Sequence, residues 1–241
     1  QAYAGPVIGK MDVALIETAH IMRVLDPVWH TKAETASRLR GRVEAILDWA
    51  TVHRYRTGDN PARWKGHLEA LLPARSKVSK AKHFAALPWR DMKPFMAELR
   101  QQNGIGALAL QFTILTAARS GEVRGMEWYE VDFEHRLWTV PGERMKAGRE
   151  HRVPLSNAAV ELLEQLKAVK LADTETVFPS VRDHKPLSDM TLTAVLRRMQ
   201  RGDITVHGFR SSFRDWAAEA TDYPQEMAEM ALAHIVGNKV E

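Results

Sequence analysis

From about Val13 to Leu72 the apolar residues recur at helical spacing. Leu39, Val43, Ile46, Leu47 and Ala50 fall at i, i+4, i+7, i+8 and i+11, one stripe of a helix. Thr31-Lys32-Ala33-Glu34, just before it, fits a capping box, with Thr and Glu three residues apart. Gly58-Asp59-Asn60-Pro61 predicts a turn. Periodicity then fades across Pro73–Pro88, PARSKVSKAKHFAALP, which reads as a basic interdomain linker. Beyond Trp89 helices are expected near 91–102 and 105–117. Arg136–Pro154 alternates instead, predicting strands at 137–140 and 150–154. Ala147-Gly148 forms the turn between the second and third of three short strands. Helices return at Asn157–Val169 after a Ser156 cap, at about 189–200, at Gly208–Ala220, and at Pro224–Leu232 with Pro224 in the first turn. Within Gly208–Ala220 the stripe Phe209, Phe213, Trp216, Ala217 and Ala220 is expected in the core. The pattern is that of a mainly α chain: a helical domain, a linker, and a larger helical domain with a small three-stranded antiparallel sheet.

Composition narrows the function classes. No apolar run approaches the roughly 18 residues of a membrane helix. The start, QAYAGPVIGK, has neither the charged nor the apolar region of a signal peptide, and Gln1 is expected to follow a longer preceding segment. The absence of cysteine excludes disulfides and Cys-based zinc sites, and fits a reducing compartment. Net charge is +4. It is uneven: residues 1–87 hold 14 Lys and Arg against 8 Asp and Glu, while residues 88–241 hold 20 against 22. A basic first third is a footprint for nucleic acid, or simply a solvated surface. Arg38, Arg40 and Arg42 flank the apolar stripe, and Lys77, Lys80 and Lys82 lie on the linker; all six are candidate phosphate contacts.

The candidate chemistry lies in the second part. Arg119 follows an apolar helix, with Ser120 as a cap for the next and Glu122 three residues on. An Arg at a helix junction can offer its planar fork to a phosphate. His207 and Arg210 share a helix face at i, i+3, with Arg214 a further turn along. They stand at a helix start, where anions are favoured. His234 lies at i+7 from Met227 and i+4 from Met230, an apolar face, so a buried core histidine is one reading and a phosphate donor at the site margin the other. Gly237-Asn238 would end that helix. Lys146 sits beside the Ala147-Gly148 turn, where a mobile hairpin would let its ammonium act as a general acid. Arg144, Arg149 and Arg152 nearby are DNA-backbone contacts or plain surface. No P-loop and no His-Glu-x-x-His occurs.

Three blocks carry a resemblance. TAARSGEVRGMEW (Thr116–Trp128), VHGFRSSFRDWAAE (Val206–Glu219) and the tail ALAHIVGNKVE are similar in order and spacing to the tyrosine recombinases, the phage-integrase family. GPVIG, ETASRLRGRVEAILDWA and NPARWKGHLEALLP resemble integrases of genomic islands and satellite phages. The resemblance implies a DNA-breaking-rejoining fold. It divides the chain into a SAM-like core-binding domain at 1–72, a linker at 73–87 and a catalytic domain at 88–241, together a clamp around duplex DNA.

Residue by residue, the resemblance makes Arg119, Lys146, His207, Arg210 and His234 catalytic, with Glu122 in structural support of Arg119. Arg144, Arg149 and Arg214 join the DNA contacts. The implied reaction is transesterification through a 3′-phosphotyrosine, with no metal and no cofactor. The family's nucleophilic tyrosine would fall roughly three residues past Glu241, and the family's small arm-binding domain is also missing, so this chain is expected to bind DNA without cleaving it. Tyr3, Tyr55, Tyr129 and Tyr223 are not expected to substitute. Implied partners are double-stranded attachment-site DNA, a homotetramer of the full-length protein, and accessory DNA-bending or excisionase proteins. The implied setting is the bacterial cytoplasm, at the nucleoid, in integration or excision of a mobile element such as a prophage. A type-IB-like topoisomerase and a non-catalytic DNA-binding regulator are the alternatives.

Overall fold

The computed structural model describes residues 2–78, 84–169 and 174–234. It separates into two compact units, 1–83 and 84–241. In the first, a short helix α1 (Gly5–Ile8) precedes α2 (Thr18–Trp29) and α3 (Ala33–Val52). Ile21, Val24, Leu25, Val28 and Trp29 of α2 pack on Ala36, Val43 and Leu47 of α3. Trp29 stacks on Trp64 with ring centroids 5.5 Å apart, and its Nε1 donates to the Pro73 carbonyl at 2.9 Å. Gly58 takes φ +80°, and the hydrogen-bonded turn lies two residues later than expected, at 60–63, where Arg63 N donates to Asn60 O at 3.1 Å.

Three expectations for this unit are corrected. The Thr31–Glu34 capping box does not form: Lys32 is the N-cap, Thr31 Oγ1 donates back to Pro27, and Glu34 pairs with Arg38 and Arg75. Ile46 is exposed, and Ala33 and Ala36 take places in the buried stripe instead. The linker is shorter than expected, because α4 (Arg75–Val78) is helical and residues 84–87 pack on the second unit.

The second unit is built around α6 (Ile105–Thr116), whose sequence IGALALQFTILT is apolar on nearly every side. A helix of that kind must be central. It touches α5 (Met92–Arg100), α7 (Ser120–Arg124), α8 (Asn157–Ala168) and α9 (Thr191–Arg198). Strands β1 (Val131–Asp132), β2 (Leu137–Val140) and β3 (His151–Pro154) form an antiparallel sheet in the order β1-β2-β3. Trp138 pairs with Val131 on one side and Val153 on the other, and β2 buries alternate residues, Trp138 and Val140. Ser156 caps α8, accepting from the Ala159 N–H. Last come α10 (Gly208–Ala220) and α11 (Gln225–Ala231), with Pro224 one position outside the helix as its N-cap.

The expected core stripe of α10 is only partly buried: Phe209 and Ala217 are, while Trp216 and Ala220 are exposed. Arg210 and Ser212 are buried in their stead. Segment 84–88 crosses the start of α10 and covers Ser212. Ala85 O accepts from Thr205 N at 2.9 Å, and Ser212 Oγ donates to Leu87 O. A Cβ on Gly208 would lie 2.2 Å from Ala85 O, so only glycine admits this crossing. Among the described residues no helix is long and apolar enough to cross a membrane.

Candidate active site

Two helix ends and two helix starts meet at the site. Helix α6 stops at Ala117, whose φ of +49° is left-handed. The chain then runs extended to Arg119, which is the N-cap of α7; Ser120, expected as the cap, is its first residue. Glu122 is 5% exposed. Its Oε2 accepts the Arg119 backbone N–H at 2.9 Å and its Oε1 accepts Arg119 Nη1 at 2.7 Å. The other guanidinium nitrogen, Nη2, donates to Ala233 O at 3.3 Å.

Arg210, in the first turn of α10, is also 5% exposed. Its Nη1 donates to Ala117 O at 2.7 Å and its Nη2 to Leu232 O at 2.6 Å. Both arginines thus meet carbonyls at helix C-termini, the negative ends of helix dipoles. Burial, and then the charge of Arg119, lower the Arg210 pKa to about 10, so it stays a cation at neutral pH. Ala233 repeats the geometry of Ala117, with φ +50° just past α11. Left-handed non-glycine residues cost of order 1 kcal/mol or more each, and cluster where function holds them.

His234 is the next residue. Expected on an apolar helix face, it lies instead beyond the end of α11, half exposed, and Met227 and Met230 are exposed as well. Its Nε2 stands 3.2 Å from Arg210 Nη2 and its Nδ1 contacts the Glu229 carboxylate. Arginine only donates, so Nε2 accepts here and Nδ1–H donates to Glu229. Glu229 also takes Arg214 Nε at 2.8 Å. The hydrogen bond from His234, aided by the charge of Arg214, holds its carboxyl below the usual range. His207 is the N-cap of α10, with Phe84 against its ring at 4.5 Å. Desolvation, followed by the nearby positive charges of Arg210 and Arg119, lowers its pKa.

Arg119, Glu122, His207, Arg210 and His234 are therefore one cluster. Lys146 is not in contact with it: it is exposed in the turn after β2 and forms no ion pair among the described residues. Arg144, expected on DNA, is instead largely enclosed. It pairs with buried Glu130 and donates to Glu122 O at 3.0 Å. Arg40 is likewise committed, donating to Glu44 Oε2 at 2.6 Å and Ala62 O at 2.8 Å beside the Trp64 ring. Arg38 pairs with Glu34 on the surface, and Arg42 and Arg149 are exposed without an ion pair among the described residues. Lys77 falls on α4, while Lys80, Lys82 and Gly237-Asn238 lie outside the described residues. None of the four tyrosines touches the cluster: Tyr3 meets Lys32, Tyr55 stacks on Trp49, and Tyr129 and Tyr223 are exposed. Glu229, Phe84 and Glu130 were not legible as site residues, because their partners are set by tertiary packing and not by sequence spacing.

Comparison with known proteins identifies the family. Residues 1–67 match the phage integrase central domain, and residues 87–240 match the phage integrase family. The chain belongs to the phage integrase family. The integrase of Enterobacteria phage P4 is 32% identical over 259 residues, covering 100% of this chain and 57% of the relative. Prophage integrase IntZ of Escherichia coli (strain K12) is 32% identical over 232 residues, with 95% and 56% covered. This phage integrase chain thus spans a little over half the length of those curated relatives. A lambda integrase dimer bound to a COC' core site superposes with a TM-score of 0.68 at 20% identity, covering 97% of this chain and 81% of that one. The Tn1549 transposon integrase in complex with circular intermediate DNA gives 0.67 at 12% identity, covering 95% and 80%. Both establish the fold of this integrase family member.

Proposed function

We propose that the chain is the core-binding and catalytic part of a site-specific tyrosine recombinase that integrates or excises a mobile element. Residues 1–72 are the core-binding domain and 88–241 the catalytic domain. The observation that carries this reading is the convergence of Arg119 and Arg210, from elements about 90 residues apart, beside two histidines. A scissile phosphate is the ligand that suits two guanidiniums held at the same helix termini.

The chemistry follows from the parts. Arg119 and Arg210 stabilise the charge that develops on the phosphorane-like transition state, as fixed donors that need no reorganisation. His207, whose surroundings favour the neutral ring, accepts the proton of the nucleophilic tyrosine hydroxyl. The tyrosine oxygen bonds to phosphorus, the bond to the 5′ oxygen breaks, and Lys146 protonates that oxygen. His234 donates to a phosphate oxygen once its Nε2 carries a proton, which Glu229 at Nδ1 leaves it oriented to do. The 3′-phosphotyrosine stores the bond energy for rejoining.

Double-stranded attachment-site DNA is the proposed substrate. Solved relatives include a lambda integrase tetramer bound to a Holliday junction, and a homotetramer on two sites is the proposed working form. Accessory DNA-bending or excisionase proteins and a place at the bacterial nucleoid belong to the same proposal. The test is strand exchange by the intact protein between two matched sites, with covalent trapping on a nicked suicide substrate. Relaxation of supercoils without pairing of sites would identify a topoisomerase. Binding with no covalent adduct would identify a regulator.

A further inference from the structure

We propose that Arg144 is a positioning residue that anchors the turn carrying Lys146 to the floor of the Arg119 pocket. The inference rests on the recombinase reading above. Arg144 and Met145 turn inward, Met145 into the core, and Lys146 is the first residue to face outward. The turn is folded back on itself: Met145 N donates to Gly142 O at 3.0 Å and Gly148 N to Met145 O at 3.0 Å. A Cβ on Gly142 would lie 2.9 Å from Gly148 O, so the two strands of the turn touch main chain to main chain.

What fixes this turn to the site is one guanidinium. Arg144 Nη1 donates to the Glu122 carbonyl at 3.0 Å, and Nη2 pairs with Glu130. Glu122 is the residue whose carboxylate holds Arg119. Glu130 is itself held, accepting from Trp138 Nε1 at 2.9 Å across β2. One side chain therefore spans α7, the sheet and the Lys146 turn. The fold makes room for it: a Cβ on Gly125 would stand 2.8 Å from Arg144 Nη1. A planar fork serves the two acceptors from two separate nitrogens, a spacing that the single nitrogen of a lysine does not reproduce. The root of the expected mobile hairpin is thus pinned, and the distance from Lys146 to the arginine cluster is set at Arg144.

The experiment compares Arg144→Met, Gly125→Ala and Lys146→Ala in the intact protein, each checked for a cooperative unfolding transition. Two suicide substrates are used, one with the ordinary scissile phosphate and one with sulfur in place of the bridging 5′ oxygen. A thiolate leaves without a proton, so only defects in proton delivery are rescued by sulfur. We expect Arg144→Met and Gly125→Ala to slow cleavage of the oxygen substrate by about 10–100-fold, a part of the roughly 10²–10⁴-fold that a positioned general acid contributes. Both should return to within a few-fold of the unaltered protein on sulfur, as Lys146→Ala should. Gly125→Ala keeps the test open if Arg144→Met does not fold. Rescue of Lys146→Ala without rescue of the other two would overturn the anchoring role alone. An equal loss on both substrates for Lys146→Ala would overturn the general-acid reading, and the anchoring role with it.

Discussion

Glu122 receives Arg119 twice, through the backbone N–H at 2.9 Å and through the guanidinium at 2.7 Å. One buried carboxylate thus starts α7 and aims the side chain that precedes it. Glu122→Ala leaves both donors without that partner. Breaking such a pair costs about 3 kcal/mol. Cleavage should also fall by at least about tenfold, because small misplacements of a positioned group are costly. Glu122→Gln keeps one acceptor and should lose less on both counts. Chemical denaturation and single-turnover cleavage measure the two effects; an Ala variant as active as the parent would remove Glu122 from the site.

Arg210 is tied to two carbonyls, of Ala117 and Leu232, by different nitrogens. Lysine offers a single nitrogen in place of these two. Arg210→Lys is therefore expected to behave nearly as Arg210→Ala, lowering cleavage by the roughly 10²–10³-fold typical of a lost transition-state donor. DNA affinity should change far less. Titration by fluorescence anisotropy beside the cleavage assay decides this, and parallel loss of both would make Arg210 a binding residue.

The pH behaviour of His207 has a definite sign. Its pKa in the folded protein lies below the ordinary 6.5, through desolvation and neighbouring cations. The fold favours the neutral ring, so this contribution to stability is present above the ordinary pKa and is lost as pH falls through the lower folded value. His207→Gln should lack that part of the acid-side slope. An NMR titration of the His207 ring in the DNA-free protein reads the value directly; a midpoint above 6.5 would contradict the crowding by Arg210 and Arg119.

Ala117 is buried at φ +49°. Glycine relieves the backbone but loses a buried methyl, two effects of about 1 kcal/mol each and opposite sign. Ala117→Gly should therefore shift stability by less than about 1 kcal/mol. A β-branched side chain has no such compensation in the left-handed region, and Ala117→Val should destabilise by more than about 2 kcal/mol. Urea denaturation of the two variants checks the contrast.

Arg40 and Arg42 are two residues apart and should separate cleanly. Arg40 is half-buried and bonded to Glu44 and Ala62 beside Trp64, so Arg40→Ala should lower stability. Arg42 is exposed, so Arg42→Ala should leave stability alone and weaken DNA binding. Binding by the chain should fall steeply with salt, since neutralised phosphates release counterions. Loss of one phosphate contact lowers the log–log slope by about 1. An unchanged slope for Arg42→Ala would take this face of α3 off the DNA.

How much of this was visible in the sequence follows from where the partners lie. Helix α10 begins and ends where periodicity put it, and the Ser156 cap needs only a neighbour three residues on. Arg119 and Glu122 are as close. Arg144 and Arg40 looked like phosphate contacts because an arginine shows no sign, in sequence, of the acceptors it will meet. Arg144 meets Glu130 from 14 residues away, and Arg40 meets Ala62 from 22. His234 was placed on a helix because Met227 and Met230 keep helical spacing with it, yet a left-handed Ala233 ends that periodicity first. Nothing in an alanine announces a positive φ.

That pair of left-handed alanines has an evolutionary corollary. Arg210 hangs from main-chain carbonyls, and every residue type offers one. Point substitutions along α6 or α11 can therefore drift while the guanidinium keeps its place. What it does not tolerate is a change in the count of residues. A single insertion or deletion in either helix rotates its last carbonyl by about 100°, given 3.6 residues per turn, and would remove the acceptor from Arg210. Related chains should consequently keep the lengths of these two helices even where the apolar side chains that fill their core positions differ.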